Sequence, residues 1–433
     1  MQPNLSFEQA PPLGVPFRFF LVAPWFGVAA GLLLPWAGES AISSRWSPAV
    51  LALTHLLVLG YLLQAMTGAL FQFVPVAAGG NVWRPRLVAA ILQPLFLIAA
   101  ALLATAFLAG SGAMLRGAAA LFVAAVSLQV VVIGLALWRT PAQGATVAAL
   151  RLAIGGLAAT VGLGAILAEG FAGDHGWPLV TIVNIHAGWG LGGWALMLVA
   201  GVSYFVVPMF QLTPPYPHRL ARALPLALLL VLGGWSAQIL GMNAEWVTAI
   251  WLAGFCLAAG YAILTLWLQR HRRRRIADPT FLFFRGAMFC LLGSCISAVV
   301  MTMLTSIGDD SRCAWWLGIL ILPGAFVSLI NGMLYKIVPF LCWLHLQRLA
   351  GIGAVAPNMR EMIPERAQRR QMRLHFLSLA LLLLTTFFPA AAGVAGVVFA
   401  ASCAWLGWNL TGAARAYRTF RGRISAAAAG PAP

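Results

Sequence analysis

The sequence predicts an all-α polytopic membrane protein, and three observations carry that prediction. The 433 residues are 61% hydrophobic and 9% charged, with a mean hydropathy of +0.90. Apolar stretches of about 20 residues, the length a helix needs to cross the hydrocarbon core, recur from end to end. Those stretches are continuously apolar rather than alternating, which excludes a transmembrane β-barrel.

Twelve spans follow, at 18–36, 48–76, 87–110, 116–138, 149–170, 178–211, 222–241, 244–268, 281–306, 313–343, 374–389 and 391–412. The opening, MQPNLSFEQAPPLGVPFRFF, has no basic segment leading into an apolar stretch and a small-residue cleavage site. It does not read as a signal peptide, and the first membrane helix is expected to begin near Arg18.

The second span ends in a motif that recurs twice. Gly68-Ala-Leu-Phe71-Gln-Phe-Val74-Pro75 becomes Gly201-Val-Ser-Tyr204-Phe-Val-Val207-Pro208 and then Gly332-Met-Leu-Tyr335-Lys-Ile-Val338-Pro339. The shared pattern is G-x-x-[FY]-x-x-V-P. Its prolines, Pro75, Pro208 and Pro339, are almost evenly spaced, and a basic residue follows each at Arg84, Arg219 and Arg348. A fixed long period marks internal repetition. The chain therefore reads as one membrane domain, 1–433, made of three four-helix units at 18–138, 149–268 and 281–412, with a tail at 413–433. All units have the same orientation, so they are parallel and related by a pseudo-threefold axis near the membrane normal. Within the motif, glycine permits close helix approach, an aromatic anchors depth at the interface, and proline marks where the helix stops.

The net charge of +17 does not indicate nucleic acid, because the cations lie between hydrophobic spans. Of the 27 cations, all but Arg45, Arg116 and Arg312 fall on the side of the loops that follow even-numbered spans. Six of the ten acids fall opposite: Glu39, Glu169, Asp174, Glu245, Asp309 and Asp310. The positive-inside rule places both termini in the cytoplasm, and the segment after Arg423 is expected to be disordered.

Seven histidines are present. His175, His218, His271, His345 and His375 read as interfacial. His55 and His186 lie inside the second spans of the first two units, each about six helical turns before its motif proline, Pro75 or Pro208. At 1.5 Å per residue both sit about 30 Å from the cytoplasmic end. Ionisable groups at such depth raise a functional hypothesis. Two imidazoles at matching depth can face one another across a haem iron, or each can simply hydrogen-bond a neighbouring helix. Copper would be left short of a third ligand. Thr54, Gln64, Asn184 and Trp189 can pack around a ring, and Gly188, Gly190, Gly192 and Gly193 either admit a planar macrocycle or serve helix packing. The six cysteines form no CxxC pair and indicate neither a disulfide framework nor a zinc site.

Twelve spans in three four-helix units, with histidines on the second helix of a unit, resemble the haem-copper oxidase subunit I superfamily. Locally the resemblance rests on Thr54-His55 and on Asn184-Ile-His186-Ala-Gly-Trp-Gly190 running to Tyr204-Phe-Val-Val-Pro208, which is similar to metal-bearing helices of nitric oxide reductases. It implies that His55 is an axial ligand of a low-spin, b-type haem. The departures are that the tenth span, CAWWLGILILPGAFVSLINGMLYKIVP, lacks the family's H-x-H, and the seventh span lacks the histidine its copper centre needs. No tyrosine follows His186 at the family's crosslinking distance. A dioxygen-reducing binuclear centre is not expected, and His186 takes the place of the missing second haem ligand.

The chain thus resembles a divergent, NnrS-like branch of haem- and copper-containing proteins. That resemblance implies a role in nitric oxide response, denitrification-linked metabolism or electron transfer in a bacterial inner membrane, alongside a respiratory or denitrification protein. The alternatives are a cofactor-free transporter or channel for a small neutral solute, and an accessory subunit of a respiratory complex whose arginine-rich face meets anionic lipid.

Overall fold

Hydropathy and helix-compatible composition are realised as a stack of long helices. A computed structural model describes residues 7–173, 175–274, 276–304, 311–350 and 357–428, and no strand occurs among them. Twelve long helices follow in order: α1 (Gly14–Ala37, bent at Leu21-Val22), α2 (Pro48–Ala77), α3 (Pro85–Ala109), α4 (Gly112–Arg139), α5 (Ala145–Ala172) and α6 (Leu179–Gln211), then α7 (His218–Leu240), α8 (Ala244–Arg270), α9 (Pro279–Met303), α10 (Ser311–Ala350), α11 (Glu365–Leu384) and α12 (Ala392–Ala428). Starts are set by local chemistry. Ser47, Ser111, Asn243 and Asp278 accept backbone N–H groups at the N-caps of α2, α4, α8 and α9.

Among the described residues, eleven helices are long and apolar enough to cross a membrane, so the architecture is that of a polytopic α-helical membrane protein. The expected count of twelve is not met. The span read at 374–389 is the second half of α11 and ends at Leu384. The first half of α11 carries Arg366, Arg369, Arg370 and Arg373, and the apolar remainder, 374–384, rises about 16 Å, half the hydrocarbon thickness. Two terminal expectations also change. Helix α1 begins at Gly14, before Arg18. Of the tail after Arg423, residues up to Ala428 continue α12, since alanine is a strong helix former, and 429–433 lie outside the described residues.

In lipid, helices associate through close packing of small residues. Gly31 of α1 and Gly396 of α12 meet backbone to backbone, and a Cβ on Gly396 would lie 2.4 Å from the Gly31 carbonyl oxygen. Helix α1 packs along α12, α4 along α5 and α8 along α9, so the helices close into a ring.

The three motif-bearing helices, α2, α6 and α10, share two features. Each contains a π-helical stretch, at Leu56–Leu62, Trp189–Leu196 and Leu320–Val327, that ends about three and a half turns before the motif proline. Each motif glycine also meets the helix before its own: Gly68 touches Phe19 and Phe20, Gly201 touches Ala149, and Gly332 touches Phe283. The motif aromatics differ from expectation. Phe71 and Tyr335 are buried against neighbouring helices rather than exposed. Pro75 and Pro208 lie within the last turn of their helices, whereas α10 continues past Pro339 to Ala350.

Candidate functional site

One large cavity, about 1000 Å³, opens between α2, α6 and α10. Its wall is built mainly of apolar side chains, among them Leu103, Phe107, Trp194, Trp315 and Phe326. Both deep histidines line it. His55 is the last residue before the π-helical stretch of α2, and His186 lies just ahead of that of α6. Their rings face each other with centroids 6.4 Å apart and planes inclined by 25°. At the corresponding depth α10 contributes Leu317, Gly318 and Ile319, so the third wall is apolar.

Hydrogen bonds orient each imidazole from behind. His55 Nδ1 lies 2.7 Å from the Leu51 carbonyl oxygen, one turn back on the same helix. His186 Nδ1 lies 3.0 Å from the Thr160 carbonyl oxygen of α5. A carbonyl oxygen only accepts, so each Nδ1 carries the hydrogen and each neutral ring keeps its Nε2 lone pair free. That is the tautomer a metal-ligating histidine uses, with the second nitrogen held by a backbone carbonyl. The Phe107 ring stands 5.0 Å from the His55 ring. Gly164 makes room for His186: a Cβ there would lie 3.2 Å from the imidazole Cε1.

Two imidazoles sharing one ion at about 2 Å from each Nε2 would place their ring centroids roughly 6 Å apart. The centroid separation of 6.4 Å is compatible with that spacing. Among the described residues no group of three or more His, Cys, Asp or Glu side chains comes together to hold a metal. A two-nitrogen donor set suits an ion that brings its own equatorial ligands, and the cavity volume lies in the range of small-molecule sites, about 300–1000 Å³. Trp194 lines the cavity, and its buried indole Nε1 has no hydrogen-bond partner among the described residues. An orphaned buried donor of this kind calls for a ligand acceptor or water. The residues fit a haem.

The other expected surroundings divide. Thr54 and Asn184 line the cavity, whereas Trp189 turns away and donates its Nε1 to Ser236 Oγ at 2.9 Å. Gln64 is buried elsewhere on α2 with both amide atoms unpartnered among the described residues. Of the α6 glycines, Gly188, Gly190 and Gly192 line the cavity, while Trp235, Thr160 and Trp189 pack beside Gly188, Gly190 and Gly193, so the cluster both borders the opening and serves packing.

His375 is not interfacial. It is fully buried and joined to α10. Ser328 Oγ donates to the Pro323 carbonyl oxygen, and His375 Nε2 lies 2.7 Å from the same Ser328 oxygen. On its other side Asn331 Nδ2 approaches His375 Nδ1 at 3.4 Å, and Tyr61 of α2 donates to Asn331 Oδ1. One direction satisfies the whole chain: Tyr61 to Asn331 to His375 to Ser328 to Pro323. Both nitrogens of His375 are engaged, which separates it chemically from His55 and His186. Of the remaining histidines, His175 is exposed beside Glu169, His218 and His271 are exposed at helix ends, and His345 is held by the Leu341 and Pro11 carbonyls.

No protein-family model matches the chain, and no curated protein matches it.

Proposed function

We propose that this protein holds a b-type haem between His55 and His186 and serves electron transfer or nitric oxide response rather than dioxygen reduction. The observation that carries the reading is the pair itself: two buried imidazoles, each with Nδ1 committed to a carbonyl and Nε2 free, 6.4 Å apart in one cavity. A haem held by two imidazoles is six-coordinate and supplies one-electron redox chemistry at a potential tuned by burial and by the hydrogen bonds behind its ligands. The Leu51 and Thr160 carbonyls hold the ligating tautomer, and the wall around the rings is mainly apolar. Copper is a poorer occupant, since the two nitrogens leave its coordination incomplete.

The scaffold is read as three parallel four-helix units. The motif spacing, the matched π-helical stretches, the motif glycines and the ring closure support that arrangement. If α11 crosses together with the residues that follow it to Phe388, the crossings number twelve and the arginine-rich loops face the cytoplasm with both termini, in a bacterial inner membrane.

The test is the reduced-minus-oxidised visible spectrum of the detergent-purified chain beside His55→Ala and His186→Ala. A b-type spectrum lost in both variants is expected. A well-folded wild type that carries no haem when haem is plentiful would sink the reading. It would favour the second one, a pathway for a small neutral solute, for which the near absence of charge in the cavity wall speaks.

A further inference from the structure

Arg45 is the one permanently charged side chain among the described residues lining the cavity. It stands in the loop between α1 and α2, exposed at the cavity mouth. Its Nη1 donates to Asn184 Oδ1 at 3.4 Å, and its guanidinium lies 4.5 Å from the centre of the Trp46 ring. The backbone carbonyl of Asn184, on the same residue, accepts the Trp235 indole N–H at 3.0 Å. Among the described residues no carboxylate pairs with Arg45.

The placement ties this cation to both histidines. Arg45 belongs to the loop that leads into α2, the helix of His55. Asn184 stands just ahead of His186 on α6, a rise of about 3 Å away. The guanidinium is therefore braced to one histidine helix while belonging to the loop that feeds the other. A guanidinium offers five donors in a planar fork that matches a carboxylate. The bond to Asn184 uses one of them, and the Trp46 ring holds the plane from one face.

We infer that Arg45 is the anchor for an acidic arm of the cavity's ligand, a molecule with an apolar body between His55 and His186 and a carboxylate at the mouth. This rests on the haem reading, since haem carries two carboxylate side arms on an otherwise apolar ring. A lipid headgroup phosphate offers the fork the same chemistry from outside, and the experiment separates the two sources.

Full-length protein produced under haem limitation is titrated in detergent with haemin and with haemin dimethyl ester, whose carboxylates are capped. Wild type is expected to bind haemin roughly ten- to a hundredfold more tightly than the ester, the range of a hydrogen bond to a charged group. Arg45→Gln should bind both at the ester's affinity with an unchanged haem spectrum, and Arg45→Lys should keep part of the preference. Equal binding of the two probes by wild type, as when Arg45 serves lipid phosphate, overturns the inference and leaves the haem reading intact. A preference kept in Arg45→Gln overturns it in the same way. Failure of wild type to bind either probe overturns the haem reading and this inference together.

Discussion

His55 and His186 come from helices far apart in sequence, α2 and α6, yet their rings face each other at 6.4 Å with matching hydrogen-bond states. The match extends to their backbones, since each histidine lies within one turn of the start of a π-helical stretch. π-Helical insertions concentrate at functional sites because they rotate the following side chains relative to a regular helix.

The room around His186 is itself testable. Gly164→Val would drive a side chain into the imidazole, because even a Cβ there lies 3.2 Å from Cε1. Overpacking of this kind costs about 1–3 kcal/mol. Haem content per protein, read from the visible spectrum, should fall in Gly164→Val while the helical circular dichroism stays at the wild-type level.

His375 should behave as a structural residue. His375→Ala strips Ser328 and Asn331 of a partner in a buried setting, at about 1–3 kcal/mol for each group left unpaired. Thermal unfolding in detergent should move to lower temperature, while the haem that remains bound keeps its band positions. A shift of those bands with no loss of stability would reassign His375 to the cofactor.

The motif glycines should not tolerate a side chain. A Cβ on Gly332 would lie 2.7 Å from the Phe283 Cβ, whereas one on Gly412 of α12 would meet nothing within 4 Å. Gly332→Val should therefore lower the unfolding temperature sharply. Gly412→Ala should leave it equal or slightly raised, since alanine is favoured over glycine inside a helix by about 1 kcal/mol.

Asp278 gives a pH dependence. Burial raises its pKa, but the Thr280 hydroxyl, the Phe281 amide and the charges of Lys336 and Arg274 outweigh that and hold the carboxyl below its ordinary value. The oxygens accept from Thr280 at 2.6 Å and from Phe281 at 2.9 Å, capping α9, and Arg274 lies 3.2 Å away. A folded-state pKa below the unfolded one contributes stability above the unfolded value, about 3.9, that is lost as pH falls through the folded value. Asp278→Ala should cost about 0.5–2 kcal/mol at neutral pH, as for other N-cap losses. The gap between variant and wild-type unfolding temperatures should close below about pH 4.

Much of this is legible in the chain because it depends on local order. Helix bounds fall close to the hydropathy breaks, since a span is a run of neighbours. The equal depth of His55 and His186 follows from counting to a shared motif. Where local order misleads, a distant partner is responsible. His375 sits just after Arg373 and reads as interfacial, but Ser328 and Asn331, on another helix, draw it into the core. The α6 glycines invite a ligand, and Gly188, Gly190 and Gly192 do line the cavity, but Gly193 is packed against Trp189 and Leu232. Arg45 stands out in the chain only as a cation on the wrong side, and its bond to Asn184 joins the loop before α2 to α6, far away in sequence.

By itself the sequence determined that this chain enters a membrane as long helices, that one motif recurs on three of them, and that two histidines lie equally deep. Those properties are additive along the chain: each residue contributes its own transfer free energy and its own rise. Only the tertiary structure decided which nitrogen of each histidine is free, which glycines are filled, and what shares a cavity. Those properties belong to pairs of surfaces, and packing between helices far apart in sequence sets them.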